Sequence, residues 1–178
     1  MSLTLAQRVT QRHLNKRCAS LAVPHVRETP GYCGPSSLRA VLLYYGQDVS
    51  EKNLATMMAL DVDGVTSSAI VSTAQKLRYE AFLHNNSTFE DVQKWLDAKV
   101  PLIVDWFSDD DGHYSVLIGL DEHYVHLMDP QEDAECIAIP REKFENLWFD
   151  FDETSQHKGL YQKQLIVVYP KTWPIPTT

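Results

Sequence analysis

Apolar residues in the first half of the chain recur at steps of three and four, the spacing of one buried face of an α-helix. Leu38, Val41, Leu42 and Tyr45 show this spacing most clearly, and Gly46 follows them. Because glycine commonly ends helices, this run predicts a helix that stops near Gly46. The same spacing, together with N-cap residues, predicts further helices at Thr4 to about Ser20, from Ser50 onward, at Thr66 to Lys76 and at Thr88 to Ala98.

From Pro101 onward the pattern changes to short apolar or alternating runs separated by Asp, Gly and Pro, which is typical of β-strands. The predicted strands are Pro101–Phe107, His113–Leu120, Tyr124–Met128, Glu135–Ile139 and Gln164–Tyr169, with an earlier strand at Ala81–His84 and a late helix at Arg141–Phe149. Helices first and strands later predict an α+β fold, in which a C-terminal antiparallel β-sheet packs against an N-terminal helical half. We expect a helical extension over residues 1–20 and one domain over residues 21–178.

The composition argues against several classes of function. A formal net charge of −8 argues against a general nucleic-acid binder or an anionic-membrane binder and fits a soluble protein. The three cysteines, Cys18, Cys33 and Cys136, have no CxxC spacing, which points away from a disulfide framework and from a structural zinc site. No apolar run is long enough to span a bilayer, and the N-terminus does not look like a secretory signal. The sequence therefore predicts a cytoplasmic protein without a metal or cofactor.

Cys33 lies where the chain turns into the Leu38–Tyr45 helix, after Pro30 and Gly31 and before Pro35. At that position a sulfur lies beside unsatisfied backbone N–H groups and the positive end of the helix dipole, which both favour a thiolate. An isolated cysteine is more often a small buried hydrophobic residue. Two later features favour the reactive interpretation here: His113 opens a predicted strand, and Asp129 ends the next one. Cysteine, histidine and carboxylate are the parts of a nucleophilic catalytic triad.

These motifs together resemble the papain-like cysteine peptidases, and among them the bacteriocin-processing (double-glycine leader) peptidases and their soluble stand-alone relatives. The matching segments are Tyr32–Leu38, Gly112–Gly119 and Asp129–Pro130. The resemblance implies a papain-like fold and hydrolysis of a peptide or small amide substrate through a thioester. It implies that Cys33 attacks the carbonyl carbon, that His113 is the base and that Asp129 orients its ring.

The oxyanion hole departs from the family pattern. The Cys33 backbone N–H supplies one donor, and the family usually places a glutamine six residues earlier, where this chain has Arg27. Arg27 has donors but differs in length and charge, and Glu28 could pair with it. Two alternatives to a peptidase therefore stay open: an acyltransferase or transpeptidase that uses the same thioester, and a peptide-binding domain without catalysis.

Weaker signals surround the histidine. Gly112 ends the acidic run Ser108–Asp111 and is a candidate substrate contact, as is Trp106, for which core packing is the ordinary interpretation. Asp121 is the main alternative to Asp129, but it ends the histidine's own strand. His123 and His126 are expected on opposite faces of a solvated strand edge, so a metal site shared between them is not predicted.

Overall fold

The computed structural model describes residues 21–108, 111–152 and 159–175. The predicted helix at Thr4 to about Ser20 lies outside these ranges. The described helices are α1 (Cys33–Tyr44), α2 (Glu51–Met58), α3 (Ser67–Lys76), α4 (Phe89–Asp97) and α5 (Arg141–Leu147). The described strands are β1 (Tyr79–His84), β2 (Leu102–Ser108), β3 (Asp111–Leu120), β4 (Tyr124–Met128), β5 (Ile137–Pro140), β6 (Phe149–Asp152), β7 (Gly159–Gln162) and β8 (Leu165–Pro170).

Six of these strands form one antiparallel sheet in the order β1-β8-β2-β3-β4-β5. Helices α1 to α3 pack on one face, where Val41 and Ile70 meet Val116 of β3 in a single apolar core. Helices α4 and α5 cover the other face, where Val92 and Phe144 lie in a second core. The α+β prediction is confirmed, and burial on both faces explains why the central strands read as nearly continuous apolar runs.

The predicted helix starts have a clear local cause. Ser50, Thr66 and Thr88 each accept a hydrogen bond from a backbone N–H in the first turn of the following helix. At α4 the cap is reciprocal, because Asp91 also accepts from the Thr88 backbone N–H. These side chains satisfy donors that would otherwise lack partners, so the polar residues end the loops and begin the helices.

The main error in the predicted elements is at the end of α5. The predicted helix continued to Phe149, whereas the observed helix stops at Leu147 and β6 begins at Phe149. Strands β6 and β7 pair in a separate two-stranded sheet that the sequence analysis did not predict. The residues Phe149–Asp152 alternate aromatic and acidic side chains, which is the period of a strand and not of a helix. Among the described residues, no helix combines the length and apolar character needed to cross a bilayer.

Candidate active site

Cys33 is the first residue of α1, and no side chain caps the start of this helix. The Cys33 thiol is free and partly buried. The next residue, Gly34, allows close packing: a Cβ there would overlap a methyl group of Val65 and lie 3.4 Å from the Tyr114 ring. The positive end of the helix is therefore held against β3 with the sulfur at the junction, an arrangement that favours negative charge on sulfur.

The structure brings His113 of β3 to the end of β4. His113 Nε2 lies 3.0 Å and 3.2 Å from the two carboxylate oxygens of Asp129. The Cys33 side chain lies close enough to the same imidazole to raise its pKa. Since Nε2 is engaged by Asp129, Nδ1 is the nitrogen that remains for the sulfur. The three residues that the sequence analysis selected are thus adjacent, with the imidazole between sulfur and carboxylate.

The electrostatics of this cluster favour a charged imidazole. Burial alone would lower the pKa of His113, but the Asp129 carboxylate and the Cys33 sulfur outweigh it and raise the pKa to about 10. Burial would also raise the pKa of Asp129, yet its hydrogen bonds and the charge of His113 lower it. An imidazolium beside a sulfur favours the thiolate, which is the reactive species.

Two residues hold Asp129 from behind. Its carboxylate accepts hydrogen bonds from the Ser115 hydroxyl at 2.9 Å and the Gln131 backbone N–H at 2.8 Å. The Trp106 indole N–H donates to Ser115 Oγ at 2.9 Å, and Trp106 itself is only 4% exposed. The structure therefore places Trp106 behind the His113–Asp129 pair, edge-on to the imidazole. Sequence reasoning did not identify Ser115, although it lies two residues after His113 on the same strand.

Asp121, the alternative to Asp129, pairs with a different histidine. Asp121 accepts a hydrogen bond from His126 Nε2 at 2.8 Å, and its hydrogen bonds lower its pKa to about 2. His126 is completely buried, so the expectation of a solvated strand edge was wrong for this residue. Val125 and Leu127, its neighbours on β4, are equally buried, which explains why the strand has no exposed face there. The structure thus separates two histidine–aspartate pairs, and only that of His113 includes Cys33.

The structure places Arg27, the candidate second oxyanion donor, at the surface. The Arg27 guanidinium pairs with the exposed carboxylate of Asp133 at 2.7 Å, and the arginine side chain is 54% exposed. Glu28 is the residue of this segment that interacts electrostatically with His113 and Asp129. Burial raises the pKa of Glu28, and the neighbouring His113 only partly opposes this. The surface pairing of Arg27 with Asp133 replaces the expected pairing of Arg27 with Glu28.

Glu51 is a further residue that sequence reasoning did not assign. It is the first residue of α2, and its carboxylate accepts from the Thr29 backbone N–H, from the Thr29 hydroxyl and from the Ser36 hydroxyl at 2.9, 2.7 and 2.5 Å. These contacts connect the segment before Cys33 to the first turn of α1. Glu51 therefore fixes the backbone on both sides of the nucleophile. Its sequence signal was only its position after the N-cap Ser50.

Gly112 lies next to His113 and packs against β6. A Cβ added at Gly112 would overlap the carboxylate of Asp150, so glycine is required for this approach. Direct contact of Gly112 or Trp106 with a substrate stays a prediction. Across residues 21–108, 111–152 and 159–175, no group of three or more His, Cys, Asp or Glu side chains is arranged to hold a metal ion.

Cys136 is disulfide-bonded, whereas the cysteine spacing pointed away from a disulfide framework. Because Cys33 is free, the disulfide leaves the candidate nucleophile unmodified.

Comparisons with known proteins identify similar sequences. The model of the Peptidase_C39 like family matches residues 20–156. The transport/processing ATP-binding protein ComA of Streptococcus pneumoniae is 28% identical over 118 residues, which is 65% of this chain and 16% of that protein. The chain thus spans only a small part of the length of this relative.

Solved structures show the same fold. The peptidase domain of Streptococcus ComA, a bifunctional ABC transporter involved in quorum sensing, has a TM-score of 0.68 at 21% identity, covering 84% of this chain and 99% of that one. A double-glycine motif protease from an AMS/PCAT transporter, in complex with its leader peptide, has a TM-score of 0.64 at 21% identity, covering 85% and 94%. Together with the family match over most of the described residues, these likenesses identify the chain as a member of the Peptidase_C39 like family.

Proposed function

We propose that this chain is a cysteine peptidase that cleaves a peptide or amide bond through a thioester on Cys33, with His113 as the base and Asp129 as the orienting residue. The observation that carries the proposal is one buried imidazole that hydrogen-bonds the Asp129 carboxylate and interacts electrostatically with the Cys33 side chain. Membership of a C39 peptidase-like family supports the same chemistry. The substrate class follows from the relatives, one of which was solved with a leader peptide.

The proposed reaction has two halves. The Cys33 thiolate attacks the carbonyl carbon, the carbon–nitrogen bond breaks, and His113 donates its proton to the departing amine. Water then attacks the thioester while His113 accepts a proton from it, and the carbon–sulfur bond breaks to release the acid. Asp129 keeps the proton on Nε2, so that Nδ1 exchanges protons at the reacting centre.

The developing oxyanion needs preorganised donors. The Cys33 backbone N–H, at the positive end of α1, is the donor that we assign to this role. We do not assign Arg27 to it, because Asp133 holds the arginine side chain at the surface. An oxyanion hole that lacks one of the donors usual in the family is expected to give a slower enzyme, because removing one donor typically lowers the rate by about 10²–10³.

The test is a peptide library incubated with the parent protein and with Cys33→Ala, followed by mass spectrometry of new termini. The proposal expects cleavage products with the parent that are absent with Cys33→Ala and strongly reduced with His113→Ala. Identical product sets for the parent and Cys33→Ala would contradict it. Adding hydroxylamine or amino acid amides separates hydrolysis from acyl transfer, because only a thioester intermediate diverts product to the added nucleophile. Peptide binding by Cys33→Ala without any turnover by the parent would instead indicate a binding domain.

A further inference from the structure

A second buried acidic group lies beside the candidate active site. Asp105 of β2 is only 3% exposed, and its Oδ2 accepts a hydrogen bond from the Ser67 hydroxyl at 3.2 Å. Its other oxygen, Oδ1, is fully buried and accepts no hydrogen bond from an N–H or hydroxyl group of the described residues. A buried carboxylate oxygen without a partner is costly, so Oδ1 marks a place where a donor is missing.

Asp150 of β6 faces Asp105. Burial raises the pKa of Asp105 well above its ordinary range, and the charge and hydrogen bonding of Asp150 raise it further. The Asp150 carboxylate occupies the space above Gly112 that a side chain would otherwise fill. Asp105 is buried while Asp150 is partly exposed, so Asp150 forms the outer member of the pair and Asp105 the inner one.

The pair is close to the nucleophile. Asp105 is directly opposite Tyr114 in the β2–β3 register, and the Tyr114 hydroxyl lies 3.0 Å from Ser67 Oγ. The other end of the tyrosine ring packs at Gly34, the residue after Cys33, and Tyr114 interacts electrostatically with Cys33. One aromatic ring therefore separates the acidic pair from the start of α1. Asp105 and the start of α1 lie on the same face of the sheet, the one that α1 to α3 cover.

We propose that Asp105 and Asp150 form a subsite beside Cys33 that binds the ammonium or guanidinium group of a lysine or arginine side chain in a peptide substrate. The cation supplies the donor that Asp105 Oδ1 lacks and takes the place of the proton that two facing carboxyls share. The net charge of the chain, −8, also favours a cationic ligand. The proposal rests on the proposed function only in naming a peptide as the carrier of the cation.

The test measures binding without turnover, by isothermal titration calorimetry on Cys33→Ala. The probes are capped heptapeptides of glycine and alanine in which one lysine occupies each position in turn, each paired with a norleucine peptide that keeps the stem and lacks the charge. At one position, the lysine peptide is expected to bind about tenfold more tightly than its norleucine partner. A hydrogen-bonded charge in a partly buried site typically contributes a difference of that size. Titrations in two buffers of different ionisation enthalpy should show that the protein releases up to about one proton when the lysine peptide binds. The norleucine peptide should cause no such release.

Asp150→Asn, added to Cys33→Ala, should reduce the preference for lysine to less than about threefold and remove the proton release. Asp150 is the first choice because it is partly exposed, and Asp105→Asn is the second variant, with its fold checked by thermal unfolding. Glu142→Gln is the matched control, because it removes one exposed charge from α5 and should leave the preference unchanged. Equal binding of lysine and norleucine peptides at every position would overturn the proposal, as would equal effects of Asp150→Asn and Glu142→Gln.

The two proposals fail separately. A parent protein that cleaves no peptide, while Cys33→Ala shows the charge preference, refutes the peptidase and keeps the subsite. A parent that cleaves peptides without regard to lysine or arginine refutes the subsite and keeps the peptidase.

Discussion

Replacing Asp129 by asparagine tests how much of the reactivity of Cys33 depends on the carboxylate behind His113. Asparagine keeps the size of the side chain and one oxygen, which can still accept from the Gln131 backbone N–H. It removes the negative charge that raises the pKa of His113 to about 10 from an ordinary value of 6.5. Since burial opposes that rise, the pKa of His113 in Asp129→Asn should fall to its ordinary value or below.

The change in reactivity follows from the charge on the imidazole. In the parent protein an imidazolium lies beside Cys33 through neutral pH, whereas in Asp129→Asn a neutral imidazole would take its place. Alkylation of Cys33 by iodoacetamide at pH 7 should therefore slow by about tenfold or more in Asp129→Asn. The assay is a pH series of alkylation rates, with Cys33 followed by peptide mass spectrometry and the His113 ring followed by NMR.

The chain contains a matched control for this experiment. Asp121→Asn removes the carboxylate from a second histidine–aspartate pair, in which Asp121 accepts from the buried His126. It should lower stability without changing the alkylation rate or the titration of His113. The reasoning is refuted if Asp129→Asn leaves the His113 titration near pH 10, or if both variants slow alkylation equally.

Three further outcomes are expected. Ser115→Ala removes a hydrogen bond to ionised Asp129 and leaves the buried Trp106 N–H without an acceptor, so urea unfolding should show a loss of about 2–4 kcal/mol. Glu51→Ala releases the segment before the nucleophile, and Cys33 alkylation should slow by about tenfold with a small change in thermal stability. The stabilisation from His113 is full below pH 6.5 and is lost as the pH rises through about 10, because its folded pKa is the higher one.

Each of these outcomes has a contradicting result. A Ser115→Ala protein as stable as the parent would show that the Trp106–Ser115–Asp129 chain of hydrogen bonds contributes nothing. Unchanged alkylation of Glu51→Ala would remove Glu51 as a positioning residue. For the pH dependence, His113→Ala should lose the excess stability of the parent at pH 6, and the two proteins should converge above about pH 10. Constant excess stability between pH 6 and 11 would contradict the assigned direction.

The helices and strands were predicted from local patterns in the sequence. Apolar spacing identified α1 to α4 and the main strands, and polar caps such as Thr88 marked the helix starts. These features could be predicted because backbone hydrogen bonds and side-chain periodicity act over a few residues. The exception was β6. Its strand pattern is only four residues long and follows directly on α5, so the predicted helix extended into it.

The candidate site was partly predictable because its three main residues occupy distinctive local positions. Cys33 begins a helix, His113 lies on a strand, and Asp129 ends the neighbouring strand, so their meeting required only that α1 pack on β3. The partners of those residues could not be predicted in the same way. Ser115 and Trp106 reach Asp129 only through the β2–β3 register, which pairs residues from different parts of the chain.

The direction of a side chain in a loop was the least predictable property. The sequence alone determined that a charged pair, Arg27 and Glu28, precedes the nucleophile, but it did not determine which of the two faces inward. Only the tertiary structure, which pairs Arg27 with Asp133, brings Glu28 near His113. The same holds for Asp105 and Asp150, which are far apart in sequence and face each other because β6 packs over Gly112. Local propensities determine where elements begin and end, whereas contacts between distant residues depend on packing that involves the whole chain.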